Sequence, residues 1–183
     1  WDVVRGHYAP FEQGARSTSS DVFVHEMPGG QYTNLMIQSQ SLGLSRQWKE
    51  VKKAYAEANM LLGDIIKVTP SSKVVGDLAQ FMVINKLSKS DVIEKVEELN
   101  LPKSVVEFLQ GQLGQPVGGF PEPLRTRVLA RAGLQPIRGR PGASLPPFDF
   151  VTHRRELEHK YRAASVQHGL KISARDVISA VLF

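Results

Sequence analysis

A hydroxyl group placed shortly after a pair of glycines is the feature of this sequence best suited to chemistry. The segment reads Glu26-Met27-Pro28-Gly29-Gly30-Gln31-Tyr32-Thr33-Asn34-Leu35 and continues into an apolar stretch of helical period. Two glycines allow positive φ angles and let the backbone come close to a ligand. A helix that begins there directs free N–H groups and a partial positive charge towards the cavity it faces. The hydroxyl of Thr33, in the first turn, could meet an anionic substrate there.

Simpler interpretations of the polar residues stay open beside this one. Thr33 could be no more than the cap of a helix that follows a glycine turn. None of the five histidines pairs with another at zinc-ligand spacing, although His25 lies just ahead of the turn and could face the same cavity. The sequence has no cysteine, Walker loop, nucleophile elbow or dinucleotide fingerprint.

Composition narrows the class of protein and its partners. The 183 residues suffice for one domain, or one domain with an appendage, and no apolar run is long enough to predict a membrane span. The net charge of +5 is concentrated in five arginines, which are Arg125, Arg127, Arg131, Arg138 and Arg140. Without a zinc-finger pattern or an RNA-binding strand signature, this cluster predicts a solvated face or an interface to another domain, not nucleic-acid binding.

Helices must position the turn, because helical periodicity dominates after residue 30. Residues 1–30 are predicted to be irregular, with a short extended segment at 21–25, and the first helix to span about 31–42. The next helix follows Ser45 and carries an apolar stripe, made of Trp48, Val51, Tyr55, Ala58, Leu62, Ile65 and Ile66.

Several helix boundaries can be placed from their end residues. Prolines that favour helix starts occur at Pro70, Pro102 and Pro123. Capping-box spacing predicts helix starts at Ser88 with Asp91 and at Ser173 with Asp176. Helix stops are expected at Gly111 and Gly169, and a cap at Asp149.

These signals predict an all-α fold of about eight helices, without βαβ alternation or hairpins. The proline- and glycine-rich stretch at 138–147 marks a boundary between residues 1–140 and a C-terminal helical extension, 141–183. A sequence that begins with Trp1 and ends with Phe183 is also expected to be part of a longer polypeptide.

Five ordered blocks, beginning with the glycine turn, resemble the pyruvate carboxylase family. The other four are Lys67–Val83, Ser104–Gly111, Gly118–Arg125 (Gly-Gly-Phe-Pro-Glu-Pro-Leu-Arg) and Gly139–Pro147 (Gly-Arg-Pro-Gly-Ala-Ser-Leu-Pro-Pro). The resemblance is to the C-terminal part of the carboxyltransferase domain, and it weakens in residues 1–20 and after about Phe150. Transcarboxylase and oxaloacetate decarboxylase subunits share the first two blocks more loosely.

The resemblance implies a funnel of helices over the mouth of a metal-containing (β/α)8 barrel. It also implies biotin on a carrier domain, a divalent metal (Zn or Mn) on the barrel, and ATP and bicarbonate at a biotin carboxylase domain. All three domains would lie outside this chain, and the whole would be a homotetramer that carboxylates pyruvate to oxaloacetate for anaplerosis and gluconeogenesis. The expected compartment is the mitochondrial matrix if the protein is animal-like, and otherwise the cytoplasm.

The family's threonine of the Gly-Gly-Gln-Tyr-Thr motif corresponds to Thr33. The resemblance implies that its hydroxyl relays a proton between the pyruvate methyl group and the biotin ring nitrogen. Gly29 and Gly30 would allow close approach of substrate or biotin, Gln31 would support binding, and no metal ligand is expected in this chain.

Two other functions remain as alternatives to the carboxylase funnel, which would be inactive when isolated. One is a carboxyltransferase subunit of an oxaloacetate decarboxylase or transcarboxylase. The other is a non-catalytic assembly or regulatory module, in which the arginine cluster at 125–140 contacts a carrier domain or a neighbouring subunit.

Overall fold

A computed structural model describes residues 1–9, 20–168 and Ser173. The described residues form helices and no strand, which confirms the all-α prediction. The helices are α1 (Asp2–Tyr8), α2 (Val22–His25), α3 (Gly29–Ser41), α4 (Trp48–Leu61), α5 (Ser71–Ile84), α6 (Lys89–Glu94), α7 (Lys103–Gln110), α8 (Leu124–Ala132) and α9 (Phe150–His168). Short 3₁₀ turns occupy Ser45–Gln47 and Pro141–Ser144. No helix of the described part is long and apolar enough to cross a membrane.

Local capping chemistry explains several of these helix ends. Ser88 and Asp91 form the predicted capping box, in which each side chain accepts a hydrogen bond from the other residue's backbone N–H. Helix α7 ends at Gly111, whose φ of 101° is in the left-handed region. Asp149 accepts hydrogen bonds from the N–H groups of Val151 and Thr152, as a cap should. The helix predicted after Ser173 lies outside the described residues.

The prediction for the N-terminal region was wrong in two places. Residues 2–8 and 22–25 are helical, where irregular and extended structure were expected. Valines favour strands in general, but propensity is a weak signal over four residues. In α2 the helical turn places His25 in the core, with Met27 buried just after it, and an ion pair between Asp21 and Lys52 holds its start.

The core of the larger unit, residues 1–143, is built around α4 and α5. Helices α3 and α7 pack on α5, α8 packs on α7, and α2 packs on α4. Tyr55 and Leu62 are fully buried on the α4 side, and Leu78 of α5 and Leu109 of α7 face the same interior. The predicted apolar stripe therefore faces the core, but α4 ends at Leu61, earlier than the stripe suggested, and Ile66 beyond it is exposed.

The second unit comprises residues 144–183. Its described helix, α9, has a polar surface with an ion pair between Arg154 and Glu158, and Phe148 contacts the rings of Phe150 and His153 at its start. The roles predicted for residues 1–140 and 141–183 stay predictions.

Candidate active site

Helix α3 begins at the first glycine of the turn, two residues earlier than expected. Pro28 is the N-cap residue, and its carbonyl oxygen accepts the first helical hydrogen bond, from the N–H of Tyr32 at 2.8 Å. Gly29 and Gly30 therefore have helical φ angles, and the positive φ suggested by the sequence is not observed. A Cβ added at either glycine would meet no described atom within 4 Å outside its chain neighbours and the backbone of its own helix. The first turn thus presents open backbone to its surroundings.

Thr33 lies on this open side of α3 and is exposed. Its Oγ1 donates a hydrogen bond to the carbonyl oxygen of Gly30 at 3.1 Å, one turn back along the same helix. Because Pro28 occupies the N-cap position, the capping interpretation of Thr33 does not describe this helix. The hydroxyl keeps its lone pairs available as acceptors and has a proton to give.

Gln31 lies on the opposite side, against α5. Its Nε2 is 2.7 Å, and Leu35 Cδ1 is 3.0 Å, from the place where a Cβ on Gly76 would stand. Gly76 thereby lets α3 approach α5 closely. Residues 31 and 33 are about 200° apart around an α-helix, so the amide of Gln31 is directed away from the Thr33 hydroxyl. A role for Gln31 in binding substrate or biotin stays a prediction.

Tyr32 connects the first turn of α3 to the start of α4. The indole Nε1 of Trp48 donates a hydrogen bond to the Tyr32 hydroxyl at 3.1 Å. The two rings meet edge to face, with their centroids 5.2 Å apart, and the His25 ring lies 5.5 Å from the Tyr32 ring on another side. Sequence reasoning missed this cluster, because three aromatic residues at unrelated spacings give no periodic signal.

His25 lies in the core just before the turn and is only 4% exposed, so its side chain does not face an open cavity. Its Nδ1 accepts a hydrogen bond from the N–H of Met27 at 2.9 Å, which requires this nitrogen to be unprotonated. Burial lowers the pKa of His25, the nearby Lys52 ammonium lowers it further, and Asp21 partly offsets both. The imidazole therefore holds the backbone that leads into Pro28 while it remains neutral.

Two ion pairs hold the segment before the turn, residues 21–26, to later parts of the chain. Lys52 of α4 pairs with Asp21, and Lys67 pairs with Glu26 at 3.1 Å. Glu26 ends α2 in a left-handed conformation, with φ of 55°. Both lysine side chains are only 16% exposed, so they are packed against the protein and not free in solvent. The sequence offers no signal for either pair, since the partners are far apart along the chain.

Three of the five arginines in the cluster make contacts within the fold. Arg127 forms a two-point ion pair with Glu97, each contact 2.5 Å long, and also bonds carbonyl oxygens near the end of α6. Arg131 bonds the carbonyl oxygen of Glu97 and the side chain of Asn100. Arg125 lies over the Phe120 ring. Arg127 thereby satisfies carbonyl oxygens at the open end of α6, and Arg131 bonds the turn that follows it.

Metal-binding residues do not converge in the described part of the chain. No group of three His, Asp or Glu side chains there could hold a metal ion. The site consists of one exposed hydroxyl, an open glycine backbone and a partly buried aromatic support.

The chain belongs to a recognised class of carboxylase. Residues 22–183 match the family model described as the conserved carboxylase domain, and the chain belongs to that family. The resemblance carried by the five sequence blocks is thereby confirmed at the level of the family.

Individual relatives are pyruvate carboxylases. The human mitochondrial enzyme is 54% identical over 185 residues, covering 100% of this chain, and the Schizosaccharomyces pombe enzyme is 58% identical over 165 residues, covering 90%. The carboxyl transferase domain of Rhizobium etli pyruvate carboxylase, solved with pyruvate and biocytin, is 48% identical and superposes on 87% of this chain with a TM-score of 0.82. The chain spans 15% of the human enzyme, 14% of the yeast enzyme and 27% of the bacterial domain.

Proposed function

We propose that this chain is the helical funnel of the carboxyltransferase domain in a biotin- and ATP-dependent pyruvate carboxylase. The whole enzyme, called the full-length carboxylase below, transfers a carboxyl group from carboxybiotin to pyruvate and forms oxaloacetate for anaplerosis and gluconeogenesis. Support comes from the superposition on the Rhizobium etli domain, which was solved with pyruvate and biocytin. The chain corresponds to about a quarter of that domain, so the barrel, biotin carboxylase and carrier domains would come from elsewhere in the polypeptide.

The observation that carries this proposal is the exposed Thr33 hydroxyl beside an open glycine backbone. A flat ring can approach Gly29 and Gly30 closely, since side chains are missing there and nothing described lies within 4 Å of the Cβ positions. The residues present therefore fit a biotin ring. When bound, carboxybiotin supplies the carboxyl group that is transferred.

In this proposal Thr33 moves a proton and does not carry charge. Its Oγ1 accepts a proton from the pyruvate methyl group as the hydroxyl gives its own proton to the biotin ring nitrogen, so the threonine is unchanged at the end. In the structure the hydroxyl proton is directed to the Gly30 carbonyl oxygen at 3.1 Å. Release of that bond frees the proton for the relay. Gly29 and Gly30 allow substrate or biotin to approach the backbone closely, and Gln31 supports binding.

In this proposal the metal is bound by the barrel, and among the described residues no group of three His, Asp or Glu side chains could hold one. Biotin is assigned to the carrier domain, and ATP and bicarbonate to the biotin carboxylase domain.

Two alternatives have weaker support. A subunit of an oxaloacetate decarboxylase or transcarboxylase would share the fold, but the relatives described above are pyruvate carboxylases. An assembly module based on the arginine cluster would need free guanidinium groups, whereas Arg127 and Arg131 bond residues 93–100 of the same chain. A homotetramer of the full-length carboxylase, without nucleic-acid or membrane partners, completes the proposal.

The compartment is proposed from the relatives. The human, rat and mouse enzymes are named mitochondrial. We propose that the full-length carboxylase is in the mitochondrial matrix if it is animal-like, and otherwise in the cytoplasm. Fractionation of the source cells tests this.

The test of the proposed function is the cofactor dependence of the full-length carboxylase. Oxaloacetate formation from pyruvate should require ATP and bicarbonate and should be abolished by avidin, which sequesters biotin. A parent enzyme that decarboxylates oxaloacetate but does not cleave ATP would favour the decarboxylase or transcarboxylase alternative. Avidin-resistant activity would contradict the biotin-dependent function altogether.

A further inference from the structure

The first turn of α3 has few side chains with which to set its orientation. Gly29 and Gly30 contribute none, so within this turn only the side chains of Gln31 and Tyr32 can hold the helix against its neighbours, ahead of the buried Leu35 and Ser39 further along α3. Gln31 reaches Gly76 with the far end of a flexible side chain. Tyr32 is a rigid ring that packs against the core and makes a directional hydrogen bond.

The partners of Tyr32 are themselves fixed in the fold. Trp48, at the start of α4, donates its indole N–H to the Tyr32 hydroxyl at 3.1 Å and is packed against the same core. His25 belongs to α2, is buried, and bonds the backbone N–H of Met27. The phenol of Tyr32 therefore lies where α2, α3 and α4 meet.

Rotation of α3 controls the direction of the next side chain along the helix. Thr33 follows Tyr32 by about 100° around the helix axis. Any rotation of the helix that moves the Tyr32 ring therefore moves the Thr33 hydroxyl through the same angle. A β-branched side chain has little χ1 freedom with which to compensate. Misplacement of a reacting group by about 1 Å can cost about 100-fold in rate.

We propose that Tyr32, bonded by Trp48 and packed against His25, is a positioning residue for Thr33. It holds α3 in the rotation that directs the Thr33 hydroxyl to the reacting atoms during carboxyl transfer. The inference rests on the proposed function, and it adds a role for a phenol hydroxyl whose observed partner is the Trp48 indole.

The first experiment replaces single groups in the full-length carboxylase. Tyr32→Phe removes the acceptor of the Trp48 hydrogen bond and keeps the ring, and Trp48→Phe removes the donor. Each should lower kcat for oxaloacetate formation about fivefold, the effect of one lost hydrogen bond, with the KM for pyruvate and bicarbonate-dependent ATP cleavage unchanged. Tyr55→Phe is the matched control. It also removes a phenol hydroxyl, from a buried tyrosine of α4, and should leave kcat unchanged.

The second experiment separates positioning from general support of the fold. If Tyr32 acts through Thr33, Tyr32→Phe should have no further effect on carboxyl transfer in a Thr33→Ala background. The same fivefold loss in both backgrounds would overturn the positioning role and leave the proposed function standing. Carboxyl transfer that survives Thr33→Ala would instead contradict the catalytic role of Thr33, and the positioning role with it. An unchanged kcat in both Tyr32→Phe and Trp48→Phe would also overturn the inference.

Discussion

His25 is the residue whose protonation state bears most directly on the turn. Since its pKa is lowered in the folded protein, the unfolded chain, with a pKa of about 6.5, takes up a proton more readily. The stabilising contribution of the neutral imidazole is thus complete above the unfolded pKa and is lost as the pH falls below it. The hydrogen bond from the Met27 N–H is the contact at risk.

We expect the free energy of unfolding of the chain to fall more between pH 7.5 and pH 5.5 than that of a His25→Asn variant. Asparagine supplies a side-chain oxygen that can accept a hydrogen bond and does not titrate in this range. Chemical denaturation at the two pH values measures both differences, with His159→Asn as a control for an exposed histidine of α9. Equal losses in the chain and in His25→Asn would contradict the proposed linkage.

Tyr55 gives a second prediction at the scale of one residue. Its hydroxyl is buried and has no hydrogen-bond partner among the described residues, and burial raises its pKa to about 12. Tyr55→Phe should therefore keep the free energy of unfolding within about 0.5 kcal/mol, or raise it, because a hydroxyl without a partner contributes little to stability. A loss of about 2 kcal/mol in urea denaturation would show that the hydroxyl has a partner.

Single residues differ in how far their roles could be predicted from the sequence. The hydroxyl of Thr33 is on an open helix face, as the glycine turn suggested, but the glycines take helical angles. The burial of His25 and the direction of Gln31 depend on contacts with α4 and α5, which are distant in sequence. Local patterns cannot report such contacts.

At the scale of elements, the start of α6 depends on the capping box of Ser88 and Asp91. Ser88→Ala should lower the free energy of unfolding by about 1 kcal/mol, because it removes the acceptor of the Asp91 N–H hydrogen bond. The control is Ser90→Ala in the same helix, which should be neutral or slightly stabilising, since alanine has the higher helix propensity. Equal effects of the two substitutions would contradict the role of the cap.

The crossing of α3 over α5 gives a second prediction at this scale. Gly76→Val should lower the free energy of unfolding by about 1–3 kcal/mol, because its side chain would collide with Leu35 and Gln31. Gly30→Val is the matched control in a helix, where the added Cβ meets no described atom within 4 Å. If both variants unfold at the same urea concentration, the close approach of α3 and α5 is not what requires glycine.

Elements with strong end signals were the most predictable. The box at Ser88, the glycine at Gly111 and the cap at Asp149 all act where the sequence placed them. The one-turn helix at 22–25 was not predictable, because its stability comes from the burial of His25 and from Lys52 on another helix. The sequence also did not predict that the other helices pack around α4 and α5.

At the scale of the whole molecule, the residues that the structure describes include one proposed catalytic group and no strand of a metal-bearing barrel. We therefore expect the isolated chain to show no turnover of pyruvate or oxaloacetate. The check is a decarboxylation assay with free biotin, run in parallel with the full-length carboxylase as the positive control. Biotin-dependent decarboxylation by the isolated chain would contradict this account of its place in the enzyme.

The most direct test of the central claim is Thr33→Ala in the full-length carboxylase, with Thr33→Ser as the control that keeps a hydroxyl. Oxaloacetate formation is compared with bicarbonate-dependent ATP cleavage in the same preparation. The account predicts that carboxyl transfer falls about 100-fold or more in Thr33→Ala, survives in Thr33→Ser, and leaves ATP cleavage intact in both. If carboxyl transfer and ATP cleavage both survive in Thr33→Ala, the hydroxyl is not the proton relay, and the turn at Gly29 and Gly30 is structural.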